Sequence, residues 1–503
     1  MATPKSESEV LGFTVYDRDL GGHPNEVFMR ALPEKVAEIP RGTYVTIEDG
    51  DRTFIGRVID GPYTVREGND DRTYFVIELV ATLTPDGQTG VFSRPPPNRE
   101  VQRADPNTVG KYIGCLGDIY IGRLATQFEV PVQLDSSTLI RHVAIFGTTG
   151  AGKSNTLQVI VEECLRRNFA VLCFDVEGEY VAMDQPTDIL HGLLTKFGYK
   201  PEGVSDFRVL VPFPCSSLAK NAQRFTIPFQ DIDKNILCEI VDVHGLHRVA
   251  LLDAIEEVSS GFKTVQQDYF FEETEAMPYR LSDVIERIKK KLNPVLNPDR
   301  PQYLREIYTS LLTKLYYLSD LQIFDQEAET VAIEEIVKAG RLTVVDISEA
   351  TDDLRNIVIA YILKKLFEYK MRNPDTPRIG IVLEEAHTFI SESRKTRMIA
   401  TATMLFELAR RGRKRGICLF FVSQQPAHLP TEIFELCNTR FIHRISSTEN
   451  LEVVQRSTGG VPRALWQAVT SLGRGECLLV SPKFHHAVVV KVRPAASKRL
   501  YTE

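Results

Sequence analysis

The sequence predicts an α/β protein in which a parallel sheet follows a small β-barrel and is interrupted by an inserted helical subdomain. Residues 11–105 form short runs that alternate apolar and polar side chains, with turn signals between them. Beyond residue 139, near-continuous apolar runs, typical of parallel strands covered on both faces, alternate with helical patterns. Between residues 215 and 339 the strand-like runs stop and the pattern becomes mostly helical.

The N-terminal barrel is predicted from strand-like runs at 43–47, 53–58 and 74–79, with no convincing long helix among them. Several short strands in one span favour a small antiparallel barrel. Residues 93–106, which hold three consecutive prolines, are typical of a linker. The predicted organisation is a barrel with its linker over 1–105, a first part of the core over 106–214, a helical insertion over 215–339 and a second part of the core over 340–503.

The candidate strands of the core are short apolar runs bounded by turn residues. Two further runs near the C-terminal end of the sequence, 476–480 and 487–492, look like a closing pair of strands. The candidate strands of the sheet are 143–146, 170–176, 207–211, 342–347, 379–383, 417–422 and 441–445.

Bulk properties narrow the class of protein. A length of 503 residues exceeds one hydrophobic core, and 43% hydrophobic with 25% charged residues is typical of a soluble globular protein. No apolar run approaches the roughly 20 residues that span a bilayer, and the eight cysteines form no C-x-x-C pair, which favours free thiols in a reducing cytoplasm. The net charge of −7 argues against a globally basic nucleic-acid coat, but eight basic residues lie between Ser391 and Arg415.

The most specific motif is GTTGAGKS at 147–154, which fills every fixed position of the phosphate-binding pattern G-x-x-x-x-G-K-[ST]. It follows the apolar run 143–146 and precedes a helical pattern, so backbone N–H groups and a helix dipole would converge on a polyphosphate. The pattern predicts ATP with Mg²⁺, Lys153 on the β- and γ-phosphates and the Ser154 hydroxyl on the metal. The candidate nucleotide-binding residues are Gly147, Thr148, Thr149, Gly150, Ala151, Gly152, Lys153, Ser154 and Asn155.

Hydrolysis needs further groups, and two acids follow the apolar run 379–383. This is the form of a Walker B strand, in which Glu384 would hold Mg²⁺ through water and Glu385 would orient and deprotonate the attacking water. A second apolar run, 417–422, is followed by Ser423 and Gln424, whose amide is a candidate sensor of the γ-phosphate or of the water.

Asp175 ends the run that follows the phosphate-loop helix. Carboxylates at the carboxyl ends of parallel strands line the ligand crevice of an α/β sheet. Two interpretations are equally supported: Asp175 assists Mg²⁺ or the water, or it caps the next turn.

The basic run Arg410–Arg415 follows an apolar helix pattern. Basic runs at helix ends are usually solvated and favoured by the helix dipole. The alternative is that one arginine reaches the γ-phosphate of a neighbouring subunit. Arg141, just before the phosphate-loop strand, is a second candidate.

Taken together, these motifs resemble the HerA family of DNA translocases, in the HerA/FtsK branch of RecA-like ATPases. The strands before them look like the small barrel that precedes the ATPase core in that family, so the resemblance covers nearly the whole chain. The segments that carry it are RHVAIFGTTGAGKSNT at 141–156, FDVEGEY at 174–180, EEAH at 384–387, RK at 413–414 and SQQP at 423–426.

The resemblance implies a homohexameric ring that threads double-stranded DNA and holds nucleotide between subunits. Arg410, with Arg141 as a second candidate, would act on the neighbour's nucleotide. The family usually has Asp where Glu384 stands and an acidic residue where Arg411 stands, so the finger is open among Arg410, Arg411 and Arg413. One protomer would contribute Lys153, Ser154, Glu384, Glu385 and Gln424.

The resemblance also implies an effector partner, because family members work with a nuclease such as NurA in DNA-end processing, and others act in antiviral defence complexes. The sequence contains no nuclease constellation of its own. The alternative function is an ATP-gated scaffold that assembles and regulates an effector enzyme, with translocation secondary.

Overall fold

The computed structural model describes residues 9–16, 25–67, 70–260, 278–297, 299–391 and 398–500. The chain forms two compact units. One contains the residues up to Asp135 together with Glu476–Val492, and the other contains Ser136–Gly475 and the residues from Arg493 onward. The predicted first boundary is residue 105, whereas the first compact unit continues to Asp135.

The elements are numbered in chain order. The strands are β1 (Val10–Val15), β2 (Glu26–Ala31), β3 (Tyr44–Asp49), β4 (Arg52–Glu67), β5 (Asp70–Thr84), β6 (Gly87–Thr89), β7 (Glu100–Arg103), β8 (Ile119–Leu124), β9 (Pro131–Leu134), β10 (Val143–Phe146), β11 (Ala170–Asp175), β12 (Phe207–Pro212), β13 (Gln223–Thr226), β14 (Glu329–Thr330), β15 (Leu342–Asp346), β16 (Ile379–Leu383), β17 (Ile417–Ser423), β18 (Thr439–Ile442), β19 (Glu476–Val480) and β20 (Val488–Val492). The α-helices are α1 (Pro106–Ile113), α2 (Ser136–Leu139), α3 (Lys153–Arg166), α4 (His191–Lys196), α5 (Lys234–Ile240), α6 (Gly245–Ser259), α7 (Leu281–Val295), α8 (Gln302–Asp320), α9 (Ile333–Ile336), α10 (Asp352–Arg372), α11 (His387–Ile390), α12 (Ile399–Arg411), α13 (Thr431–Leu436), α14 (Thr448–Ser457) and α15 (Arg463–Val469).

The first unit contains the predicted barrel. Its strands follow the order β2-β1-β7-β3-β4-β5, and β2 also pairs with β5, so the antiparallel sheet closes on itself. Alternate residues point inward along each strand, and Val27, Val45, Phe54 and Ile77 are among those buried in the barrel core. The prediction of a small N-terminal barrel is confirmed. In the same unit, β19 and β20 form the predicted antiparallel pair.

The second unit is built on a parallel sheet with the order β14-β13-β12-β15-β11-β16-β17-β10-β18. The central strands are buried on both faces, which is why their sequences are continuous apolar runs, whereas β14 and the first two residues of β13 are exposed. Because the strands run in one direction, all of their C-terminal residues meet at one edge, called here the carboxyl edge, and their N-terminal residues meet at the amino edge. The predicted α/β class is confirmed.

The tract 215–339 is mostly helical in its described part. Helices α5 to α9 occupy it together with the short strands β13 and β14, and the two helices expected near 281–292 and 303–318 are present as α7 and α8. Within the described ranges, no helix combines the length and the apolar character required to cross a bilayer.

Candidate nucleotide-binding site

The phosphate loop joins the carboxyl end of β10 to the start of α3, as its sequence predicts. Gly147 has φ 154° and Gly152 has φ 115°, a region that favours glycine. A Cβ atom on Gly147 would lie 2.6 Å from the Cβ of His443, and one on Gly152 would lie 3.0 Å from the Cα of Gly475. Both positions therefore require glycine for conformation and for space.

The loop is also anchored to β18 and its following turn. The Thr148 amide donates to the carbonyl of Arg444 at 2.9 Å, and the Thr156 hydroxyl lies 2.9 Å from Nε2 of His443 in a buried contact. Helix α3 begins without a side-chain cap at Gly152, so N–H groups of its first turn remain for an anion. A rigid loop ending in an uncapped helix start suits a polyphosphate.

Lys153 and Ser154 project from the first turn of α3 toward the acids. Nζ of Lys153 donates to the Thr148 carbonyl at 3.1 Å, and the hydroxyl of Ser154 is 3.4 Å from Oε1 of Glu384. Burial lowers the pKa of Lys153, while Glu385 and Glu384 oppose that shift. The ammonium is thus poised between a low-polarity environment and two carboxyl groups.

Glu384 lies directly after β16 and is only 5% exposed. Burial raises its pKa to about 8, and the nearby carboxyl groups of Asp175, Glu179 and Glu385 add to the rise. The Tyr180 hydroxyl donates to Oε1 at 2.7 Å, which partly offsets it. Glu384 is therefore a buried acid that favours its neutral form unless a cation compensates its charge.

Glu385 is the next residue, yet its carboxyl ionises more readily than usual. It adopts φ 47°, a left-handed conformation that is strained for a residue with a side chain. Burial alone would raise the pKa of Glu385, but hydrogen bonds with His387 and Gln424 and the charge of Lys153 lower it. Neighbouring acids with opposite shifts are a pattern that separates a charged base from a metal-side acid.

A chain of hydrogen bonds connects the phosphate loop to Glu385. The Thr149 hydroxyl donates to Oε1 of Gln424 at 2.5 Å, and Nε2 of Gln424 donates to Oε1 of Glu385 at 2.5 Å. On the other side, Nδ1 of His387 is 3.3 Å from Oε2 of Glu385 and 3.4 Å from the Ser423 hydroxyl. The side-chain amide of Gln424 thus links the Thr149 hydroxyl to the Glu385 carboxylate by two hydrogen bonds.

The contacts of Asp175 favour the second of its two interpretations. Its Oδ1 accepts from the amides of Glu177, Gly178 and Glu179, and its Oδ2 accepts from the amide of Tyr180 at 2.8 Å. Burial raises its pKa to about 7, with the Asp346 charge adding to the effect of burial. Asp175 caps the turn that positions Tyr180.

The Asn155 side chain turns away from the phosphate loop. Its Nδ2 donates to the carbonyl of Arg493 at 2.8 Å, and its Oδ1 accepts from the amide of Ala495 at 2.9 Å. Its position in the first turn of α3 leaves its backbone beside the loop, while its side chain holds the segment that begins at Arg493.

The residues present fit the Mg²⁺ that the motif implies. Oε2 of Glu384 is buried without a hydrogen-bond partner in the described ranges, and the Ser154 hydroxyl is close to the other oxygen of the same carboxyl. No group of three or more His, Cys, Asp or Glu residues suited to a metal occurs in the part of the chain that was described. Mg²⁺ is usually bound by one or two side chains with phosphate oxygens and water, which matches this donor set.

The candidate arginines Arg141 and Arg410 lie together at the amino edge, away from the phosphate loop. The amide of Leu419 donates to Nδ1 of His142 at 3.0 Å, so Nε2 carries the proton and donates to the Ala409 carbonyl at 2.9 Å. This contact brings together the two chain positions that precede β10 and β17. The four residues of β10, roughly 13 Å of extended chain, lie between Arg141–His142 and Gly147.

The amino-edge arginines are exposed. Arg410 donates to both oxygens of Glu432, at 2.5 and 2.8 Å, and 61% of its side chain is accessible. Arg411 pairs with Glu407 at 2.5 Å, and burial lowers the pKa of His142 with a contribution from the charge of Arg413. Three other basic residues of the predicted stretch, Arg394, Lys395 and Arg397, lie outside the described residues.

Comparison with known proteins gives the family to which these motifs belong. Residues 119–366 match the family model described as the central domain of the helicase HerA. A probable helicase of Methanocaldococcus jannaschii is 25% identical over 96% of this chain and 91% of its own length. A probable DNA double-strand break repair helicase HerA of the same organism is 25% identical over 91% of this chain and 92% of its own length.

This chain belongs to the HerA family. The structure of VirB4 of Thermoanaerobacter pseudethanolicus is similar with a TM-score of 0.50 and 17% identity, over 76% of this chain and 97% of that one. The similarity to VirB4 supports the RecA-like P-loop fold of the second unit. As a HerA-family protein with this fold, the chain binds ATP and hydrolyses it.

Three residues near the HerA-type site make contacts that no sequence pattern predicts. Tyr180 lies in the segment FDVEGEY, but its hydrogen bond to Glu384 depends on the turn that Asp175 caps. His443 supports the phosphate loop from the turn after β18, almost 300 positions away in sequence. Arg499 donates a hydrogen bond to Glu179, which is 320 positions away in sequence.

Proposed function

We propose that this HerA-family protein is an ATP-driven translocase on double-stranded DNA that assembles as a homohexameric ring. The observation that carries the ring is the position of Arg141 and Arg410 at the amino edge, whereas the phosphate loop lies at the carboxyl edge. An arginine side chain is shorter than the roughly 13 Å of β10, so it does not reach the phosphate loop of its own subunit, and we infer that these arginines act on the nucleotide of a neighbouring copy. Contacts that join two different faces of identical subunits are heterologous and generate rings when they close.

Within one site, the residues have separate tasks. Lys153 and the N–H groups of the loop bind the phosphates, and Ser154 with Glu384 would hold Mg²⁺, which would supply charge neutralisation at the phosphate oxygens. Glu385 orients the attacking water and accepts its proton, because its pKa is kept low enough for it to be charged. Gln424 bonds to both Thr149 and Glu385, so a phosphate that displaces Thr149 changes the hydrogen bonding of Glu385.

DNA is supported as the polymer by the relatives, whose names describe helicases and DNA double-strand break repair. The exposed basic residues that follow α12 add a surface for phosphate groups. Contacts with the phosphate backbone are independent of sequence and weaken steeply with salt. We also propose a partner effector, either a NurA-like nuclease in DNA-end processing or an effector of antiviral defence, because the family resemblance implies one.

The motor is tested by measuring the ATPase rate of the full chain with and without duplex DNA at low and at raised salt. We expect stimulation by DNA at low salt that fades as salt rises, together with displacement of a protein block from the duplex. An ATPase rate that ignores duplex DNA, with the block left in place, would contradict the motor. If an effector enzyme then co-elutes with the ring, the scaffold function is supported instead.

The assigned base is tested separately with Glu385→Gln. Removing the proton acceptor while keeping its shape should slow turnover by about 10²- to 10⁴-fold and leave ATP binding intact. Glu452→Gln is a control, since Glu452 is an exposed partner of Arg456. Near-normal hydrolysis by Glu385→Gln would mean that another group activates the water.

A further inference from the structure

The segment 493–500, called here the strap, is bound along the phosphate-loop helix by a buried ionic network. The Arg493 guanidinium is fully buried and donates to Glu162 at 2.8 Å and to Glu163 at 2.9 Å. Its plane lies over the ring of Tyr199, with 4.2 Å between the guanidinium carbon and the ring centroid. Buried arginine with two carboxylates needs this geometry to offset its desolvation, so the strap has one defined position on α3.

The strap backbone is fixed from both sides. The amides of Ala496 and Ser497 donate to Oε1 of Glu162, each at 2.8 Å, and the Thr187 amide donates to the Ala496 carbonyl at 2.8 Å. Asn155 adds its two side-chain hydrogen bonds at the start of α3, next to Ser154. The strap is therefore attached to the first turn of α3, directly after the phosphate loop.

This attachment delivers Arg499 to the carboxyl edge. Nη1 of Arg499 donates to Oε2 of Glu179 at 2.9 Å, and the amide of Leu500 donates to the Glu179 carbonyl at 2.9 Å. Glu179 belongs to the turn capped by Asp175, and its neighbour Tyr180 binds Glu384. Only 12% of the Arg499 side chain is accessible.

The charge of Arg499 reaches the catalytic groups. Burial is the main cause of the lowered pKa of Lys153, and the positive charge of Arg499 contributes in the same direction. Burial raises the pKa of Glu179, and Arg499 opposes that rise. The guanidinium thus lies within electrostatic range of the lysine that is assigned to the phosphates.

We propose that Arg499 is a further catalytic residue for ATP hydrolysis, supplied by the same protomer that binds the nucleotide. This inference rests on the site assigned under Proposed function. The terminal phosphate competes with Glu179 for the guanidinium, whose planar fork matches phosphate oxygens better than a lysine does. Its charge then stabilises the oxygens of the transferring phosphoryl group.

Arg499 exchanges no proton in this step. The water oxygen forms a bond to the γ-phosphorus, and the bond between that phosphorus and the bridging oxygen breaks to release ADP. The proton of the water passes to Glu385 and from there to solvent. Arg499 remains a cation throughout and contributes only charge and hydrogen bonds.

The test uses the full chain with Arg499→Ala, Arg499→Lys and the control Lys498→Ala. Lys498 lies next to Arg499 on the strap but pairs with Asp188 at 3.0 Å, on the exposed side. We expect Arg499→Ala to lower kcat for ATP without DNA by about 10²-fold. The KM for ATP and the affinity for ADP should stay near those of the wild type, whereas the affinity for ADP–aluminium fluoride falls with kcat. Arg499→Lys should recover part of the loss, and Lys498→Ala should match the wild type.

An unchanged kcat in Arg499→Ala would overturn the proposal. It would equally be overturned if ADP and ADP–aluminium fluoride lost affinity to the same extent, because that result describes an anchor of the strap. Glu385→Gln measured in parallel separates the two assignments. If Glu385→Gln remains active, the proposed site is wrong, whereas an inactive Glu385→Gln with a fully active Arg499→Ala contradicts the role of Arg499 alone.

Discussion

Arginines lie at both edges of the parallel sheet, and the two groups differ in exposure. At the amino edge, Arg410 is 61% accessible and is bound to one surface carboxylate. At the carboxyl edge, Arg499 is 12% accessible, and Arg493 on the same strap is fully buried between two glutamates. An arginine that serves a neighbouring copy must be reachable from outside its own subunit. An arginine that serves its own site is positioned by internal contacts.

The same difference in exposure determines how easily each arginine exchanges its carboxylate partner. The ion pair between Arg410 and Glu432 lies on the surface, where solvent screens such pairs, so a stronger partner replaces it at little cost. The Arg493 pairs are buried, and breaking them leaves uncompensated charges. Arg410 can thus exchange Glu432 for a ligand on another subunit, whereas Arg493 holds the strap permanently on α3.

The amino-edge half of this comparison predicts the largest effect. Arg410→Ala should lower kcat for ATP by roughly 10³-fold or more, because it removes a cation from the neighbour's transition state. Arg456→Ala is the matched control, since Arg456 is an exposed helical arginine paired with Glu452 at 2.9 Å. Steady-state ATPase assays of Arg410→Ala and Arg456→Ala measure this difference in kcat. Equal rates for the two would show that Arg410 is an ordinary surface arginine.

The buried ion pairs of the strap predict a large effect on stability. Arg493→Met keeps much of the side-chain volume but leaves Glu162 buried without a cation and Glu163 with Arg166 alone, which should cost about 3–5 kcal/mol of unfolding free energy. The exposed pair with Asp188 that is lost in Lys498→Ala is screened by solvent and should cost far less. Denaturant unfolding of both variants measures the difference. A loss for Arg493→Met as small as that for Lys498→Ala would mean that the strap is not held by these charges.

A smaller effect is expected where the strap meets the phosphate loop. Asn155→Ala removes two hydrogen bonds to the strap and should cost about 1–3 kcal/mol of stability. The affinity for ADP should be close to that of the wild type, because the Asn155 side chain faces the strap. Calorimetric titration with ADP checks this point. A large loss of ADP affinity with normal stability would instead support the direct nucleotide contact that the motif predicts for Asn155.

The strands and the acids of the site could be predicted because local sequence determines them. β10 and β16 coincide with the predicted runs, since their length of four or five residues and the turn residues that bound them favour a buried strand over a helix. Glu384 and Glu385 follow β16 directly, and parallel strands bring their ends to one edge. The roles assigned to these residues stay predictions until variants are measured.

The rest of the site depends on contacts between distant positions. The two interpretations of Asp175 could not be separated by sequence, because the choice depends on which N–H groups the turn presents. The proximity of Arg141 and Arg410 follows from His142, whose partner Ala409 is 267 positions away. Arg499 lies in no motif at all, and only the burial of Arg493 on α3 shows where the strap leads.

The most direct test of this account mixes inactive variants and measures recovered ATPase activity. Arg410→Ala subunits mixed with Lys153→Ala subunits should regain activity, because an intact phosphate loop then meets an intact Arg410 at some interfaces. Arg499→Ala mixed with Lys153→Ala should regain none beyond the residual Arg499→Ala rate, since each site lacks one of two groups from the same subunit. A first mixture as inactive as its parents, or recovery in the second, would contradict the division between the amino-edge arginine and the strap arginine.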